Sequence, residues 1–155
     1  MRGLQTHKVI LFVCRGNLCR SPIALALLRW RLRQMRPGCE RVQVDSAGYC
    51  DWGTFAREAH PFARRAAMQV CGEDLLAEHR AKHWTPDMVE SAGLIIVAEE
   101  WMRADFPRES VLTMRELGGE SGDVEDPYGK DYGAYVACAS EIDGLIASGI
   151  PYLVK

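Results

Sequence analysis

The run at 8–13 (KVILFV) carries no polar residue after Lys8 and stops at Cys14. A strand with one wet face alternates apolar and polar residues, so an unbroken run of this length fits a strand buried on both faces. Gly16 relaxes the stretch that follows. Ser21-Pro22 then pairs an N-cap serine with a proline at the first helical position, a strong helix start. That helix is expected to run to about Met35, where Pro37-Gly38 ends it. A buried strand, a six-residue loop and a capped helix leave few architectures open to the chain.

The remainder keeps the same alternation. Residues 41–45 (RVQVD) predict a second strand, with Ser46-Ala47-Gly48 turning out of it. Residues 61–70 predict a helix with Gly72 near its end, and Thr85-Pro86 starts another by the logic of Ser21-Pro22. A third buried strand is expected at 94–98 (LIIVA), a short helix at 99–106, and a short fourth strand at 110–113. Residues 117–129 read as a polar loop with Gly118, Gly119, Gly122, Pro127 and Gly129. A final helix is expected at 131–147, weakened by Gly133 and Gly144. Alternating strands and helices argue one α/β domain over 1–155, with a four-stranded parallel sheet, helices on both faces and ligand-binding loops beyond the strand ends.

Composition narrows the function classes. With 155 residues, 48% of them hydrophobic, the chain suits one domain with a real core. No apolar stretch approaches the length of a membrane span, and the first eight residues lack a signal-peptide core, so a cytoplasmic protein without membrane insertion is expected. The six cysteines form no CxxC pair and read as mostly reduced, small apolar residues rather than a disulfide framework. Residues 1–41 carry nine Lys/Arg against one acid, whereas 99–143 carry twelve acids against four bases. The cluster Arg29, Arg31, Arg33 and Arg36 reads as the solvated face of a helix, and no interleaved aromatics suggest a nucleic-acid partner.

The spacing Cys14-x5-Arg20 is weak by itself. Six cysteines and fifteen arginines in 155 residues give about 0.6 such matches by chance. Position adds the specificity. A tight loop that aims backbone N–H groups inward makes an anion nest, and the helix N-terminus adds positive potential. Arg20 offers a planar fork to two phosphoryl oxygens. The same field favours the thiolate of Cys14, the nucleophilic form, and the Ser21 hydroxyl is placed to donate to it. An aryl-oxide leaving group also needs a proton, and Asp126-Pro127-Tyr128 on the glycine-rich loop offers a carboxylic acid beside an aromatic wall.

VILFVCRGNLCRSPIA, DSAG at 45–48, HRA at 79–81, LIIV at 94–97 and DPYG at 126–129 together resemble the low-molecular-weight protein tyrosine phosphatases, in matching order over nearly the whole chain. The resemblance implies strand order 2-1-3-4, with a phosphate-binding loop after the first strand. It implies Cys14 as nucleophile through a cysteinyl-phosphate, and Arg20 with the backbone of Arg15, Gly16, Asn17, Leu18 and Cys19 as the phosphate cradle. Asp126 becomes general acid and then general base. Asn17 holds the loop's shape, Ser21 favours the thiolate, His79 supports the Asn17 network, and Trp52 and Tyr128 flank the substrate ring. Leu18, where similar arginine phosphatases carry threonine, implies phosphotyrosine. Cys19 implies a reversible disulfide with Cys14 under peroxide. The resemblance implies no metal or cofactor, phosphotyrosine proteins as partners, a cognate bacterial tyrosine kinase among them, and a monomer or weak dimer.

The chain departs from that pattern at Leu25, where an acid is usual, at 97–100 (VAEE), and over 53–60. Two other readings stay open. Arsenate reductase shares the loop but needs relay thiols, and Cys71 has no close cysteine companion. A silent phosphotyrosine-binding module is the other, against which stand the intact Cys14, Arg20 and Asp126.

Overall fold

The computed structural model describes residues 9–35, 42–50 and 53–154. Four parallel strands, β1 (Val9–Cys14), β2 (Gln43–Gly48), β3 (Ala92–Val97) and β4 (Val111–Thr113), lie in the order β2-β1-β3-β4. β1 therefore has neighbours on both sides and covered faces. Side chains alternate across a strand, so Ile10, Phe12 and Cys14 face one layer while Leu11 and Val13 face the other. The first layer holds α1 (Arg20–Arg33), α2 (Pro61–Cys71), the short α4 (Met114–Leu117) and α5 (Tyr132–Leu153). The second is thinner: α3 (Pro86–Ser91), the 3-10 turn Glu100–Asp105, and Tyr49, Trp84 and Phe106 against Leu11, Val13, Ile95 and Val97. The chain leaves β1 for β2 on one side and later returns to β3 on the other. The carboxyl end of β1, at Cys14, thus lies where the strand order reverses, which is where such sheets open a ligand crevice.

Several expectations shift. Ser21 is not the N-cap of α1: the helix begins at Arg20 after Cys19, with no side-chain cap, because the Ser21 hydroxyl is taken by Cys14 and Asn17. Ser46-Ala47-Gly48 is not a turn but the end of β2, paired with Phe12, Val13 and Cys14. A Cβ on Gly48 would lie 3.0 Å from the Arg15 carbonyl oxygen, so only glycine lets this strand pass so close behind the loop. The residues of α1 from Arg20 to Leu28 are buried on every side, so only its second half is amphipathic. There Arg31 pairs with Asp143, Arg33 with Glu73, and Arg29 donates to the Val44 carbonyl; Arg36 lies outside the described residues. The stretch at 99–106 is a 3-10 turn, and α4 precedes the polar loop. α5 runs past 147 through Pro151, and within it Gly149 packs so tightly on Leu117 that a Cβ would lie 2.5 Å from its Cγ. The caps at Thr85 and Gly72 form as expected, with the Thr85 hydroxyl accepting from Met88 N–H and Gly72 at φ 74°.

Candidate active site

The loop from Cys14 to Arg20 walls a cleft of about 160 Å³ with Thr54, Arg57, Asp126 and Tyr128. Cys14 Sγ ends β1, buried at the floor, 3.0 Å from Ser21 Oγ. Asn17 is buried and left-handed at φ 61°, a conformation asparagine tolerates better than most residues. Four bonds hold it there. Its Nδ2 donates to Ser21 Oγ at 2.8 Å and to Ser46 Oγ at 2.9 Å. Its Oδ1 accepts from Lys82 N–H at 3.0 Å, and its carbonyl accepts from His79 Nε2 at 2.9 Å. Because Ser21 accepts from Asn17, its single hydrogen is free for Cys14 Sγ; the alternative acceptor, the Ala47 carbonyl, is farther, at 3.4 Å. Burial pushes the His79 pKa down, so the ring is neutral at neutral pH and carries one proton, which the bond to Asn17 places on Nε2.

Arg20 is 1% exposed. It donates to the Val124 carbonyl at 2.6 Å and to Glu99 Oε2 at 2.7 Å, and the same terminal nitrogen lies 3.4 Å from Asp126 Oδ2. Its Nε is buried without a hydrogen-bond partner. Burial opposes its charge, but Cys14, Asp126 and Glu99 more than offset this and raise its pKa. Glu99 also takes a two-pronged ion pair from Arg15 at 2.8 and 2.9 Å, and a bond from Trp101 Nε1. Burial resists ionisation of Glu99, but bonds from Arg15, Trp101 and Arg20 prevail and hold its pKa down at about 2. The departure noted at 97–100 thus fills a place of its own: a buried carboxylate shared by two arginines. Leu25, at the other departure, is simply core.

Cys19 is buried with its Sγ 3.6 Å from Tyr135 Oη, and burial pushes its thiol up to about 12. Among the described residues its sulfur and that of Cys14 are free thiols. Burial likewise raises the thiol of Cys71, the last residue of α2, to about 11. Asp126 is half-buried, and its Oδ1 accepts from the Tyr128 backbone N–H at 3.1 Å, tying its side chain to the backbone of the loop. Trp52 lies outside the described residues. The cleft adds three residues the motif does not flag: Thr54, Arg57 and Glu99 behind it. The role of Glu99 has no local signal, since its two arginine partners are 79 and 84 positions away. A larger hollow of about 660 Å³ opens at the other end of the sheet, around Val9, Arg29 and Val44, and holds no nucleophile.

A buried thiol at the floor of a tight loop, with a buried arginine lining the same cleft at the switch point of a parallel sheet, is an arrangement suited to a phosphatase of the cysteine-and-arginine kind. The profile of the low molecular weight phosphotyrosine protein phosphatases matches residues 9–148, and the chain belongs to that family. It is 34% identical to a probable low molecular weight protein-tyrosine-phosphatase EpsP of Ralstonia solanacearum, over 93% of this chain and 94% of the relative. It is 31% identical to a protein-arginine-phosphatase of Geobacillus stearothermophilus, over 88% and 90%. The fold is similar to the crystal structure of a low molecular weight protein tyrosine phosphatase from T. tengcongensis, with a TM-score of 0.82, 28% identity, and coverage of 93% of this chain and 98% of that one. Among the described residues no helix is long and apolar enough to cross a membrane.

Proposed function

We propose that the chain hydrolyses phosphotyrosine on proteins through a cysteinyl-phosphate. Cys14 Sγ attacks phosphorus as the bond to the tyrosyl oxygen breaks, and Asp126 gives that oxygen its proton. The backbone N–H groups of 15–20 and the Arg20 fork hold the equatorial oxygens, whose charge grows in the transition state. The unpartnered Nε–H of Arg20 is a donor such an anion would satisfy. The Asp126 carboxylate then takes a proton from water, the water oxygen attacks phosphorus, and the S–P bond breaks to release phosphate and restore the thiolate. Ser21 donates to the sulfur in both halves. No residue in this scheme calls for a metal.

The observation that carries this reading is the reach of Arg20, which lines the cleft with Cys14 and brings a terminal nitrogen to 3.4 Å from Asp126 Oδ2. One side chain thereby joins the phosphate floor to the proton donor. Leu18 and Tyr128 line the same cleft, an apolar and aromatic boundary suited to a phenyl ring rather than a guanidinium. Arginine phosphatases among the relatives make the comparison a direct test. Steady-state turnover of one peptide carrying phosphotyrosine or phosphoarginine should favour phosphotyrosine by a hundredfold or more in kcat/KM, on the order of the rejection a mismatched site achieves. A preference for phosphoarginine would reverse the assignment. The natural substrates would be proteins phosphorylated by a partner tyrosine kinase.

A further inference from the structure

His60 stands outside the machinery described so far, yet it contacts both Leu18 and Tyr128 at the aryl end of the cleft. It caps α2: its Nδ1 accepts from Phe62 N–H at 3.0 Å. Its backbone N–H donates to the Leu18 carbonyl at 3.0 Å, so the residue is also fastened to the phosphate loop through its main chain. Its ring stacks on Tyr135, with centroids 4.8 Å apart and planes 20° from parallel, and Tyr135 in turn contacts Cys19. It also meets the Tyr128 ring edge to face, at 5.9 Å and 79°. Tyr128 is 55% exposed, and His60 is the ring that backs it among the described residues. An exposed tyrosine on a glycine-rich loop samples several rotamers; an edge-to-face neighbour selects among them.

We propose that His60 is a positioning residue that holds Tyr128 upright as the wall of the aryl subsite, joining that wall to the phosphate loop through Leu18. The inference rests on the phosphotyrosine reading and adds the side chain that fixes the aromatic part of substrate recognition. Burial and the nearby Arg57 lower the pKa of His60, in keeping with a neutral ring whose Nδ1 accepts the Phe62 bond. The residue has two separable duties: the cap needs a side-chain acceptor, and the wall needs a planar ring.

Two variants separate them. His60→Asn keeps a good N-cap and removes the ring; His60→Phe keeps the ring and removes the cap. The probes are p-nitrophenyl phosphate, which reaches the wall, and inorganic phosphate as competitive inhibitor, which occupies the loop alone. His60→Asn should raise KM for the aryl phosphate about two- to tenfold, the range of one aromatic contact, with kcat within about twofold and the phosphate inhibition constant unchanged. His60→Phe should restore the wild-type KM while Tm drops by roughly 2–6 °C, the cost of a lost cap in a chain of this size. An unchanged KM in His60→Asn overturns the proposal. So does a phosphate inhibition constant that rises in step with KM, because the residue would then only support the loop. A wild-type enzyme that hydrolyses phosphoarginine but no aryl phosphate defeats the functional reading itself, and this inference with it, before any variant is made.

Discussion

Asn17, Arg20 and Ser21 are buried, and their partners come from β2, from residues 79–82, from Glu99 and from Val124. Across the cleft, Thr54, Arg57, Asp126 and Tyr128 sit on two loops, Arg57 and Tyr128 exposed and the other two half-exposed, with Asp126 and Tyr128 held mainly by each other, by Arg20 and by His60. The floor is fixed from several elements at once, as suits the proposed binding of a group that never varies, a phosphoryl anion. The rim meets the part of the substrate that does vary, and it rests on fewer contacts. On the proposed mechanism, preorganised charge at the floor would supply rate, and the rim would supply the proton and the choice of substrate.

Substitutions should divide along that line. Asp126→Ala is expected to lower kcat for a phosphotyrosine peptide about 10²- to 10⁴-fold with KM little changed, since the proton is needed in the transition state. The loss should shrink sharply for an aryl phosphate whose leaving group needs no proton, and an equal loss for both would place Asp126 in the floor rather than the rim. Glu99→Gln comes next. It strips Arg20 and Arg15 of their shared anion, and kcat/KM should fall about 10- to 100-fold, the weight of one or two charged hydrogen bonds.

The same variant has a signature in stability. Glu99 is held at about 2, below its ordinary 4.5, so the folded state favours the ionised form. That contribution is complete above pH 4.5 and is lost as pH falls toward 2, up to about 3 kcal/mol by linkage. Denaturant titrations should show the wild type losing this increment over that window and Glu99→Gln failing to lose it. Tyr128→Ala is the smallest effect: KM for aryl phosphates should rise about two- to tenfold, at least matching His60→Asn, with the phosphate inhibition constant unmoved. A collapse of kcat in Tyr128→Ala would mean that rim and floor are one unit.

The floor was also the more legible half. The apolar run before Cys14, the Cys14-x5-Arg20 spacing and the helix that follows are local, and each part has a chemical reason. Ser21 misled because one hydroxyl suits two tasks: capping logic assigns it to the helix, whereas three-dimensional proximity gives it to Cys14 and Asn17. Ser46-Ala47-Gly48 reads as a turn by composition, yet pairing with β1 and the bond from Asn17 extend the strand through it. Glu99 looked like a departure from a pattern until the fold brought it to two arginines. His60 reads as any residue before a proline helix start; its meaning lies in rings 68 and 75 positions downstream, at Tyr128 and Tyr135. Local periodicity carries no record of such distant contacts, and for that reason the rim was harder to read than the floor.

The central claim is that Cys14 carries the phosphoryl group between two half-reactions. Mixing the enzyme with a phosphotyrosine peptide, quenching with denaturant within the first turnover and mapping the digest by mass spectrometry tests it most directly. The account predicts phosphate on the peptide containing Cys14, absent from Cys14→Ala processed in parallel, and disappearing as turnover proceeds. Phosphate on another residue, or full turnover with Cys14 never modified, would contradict it.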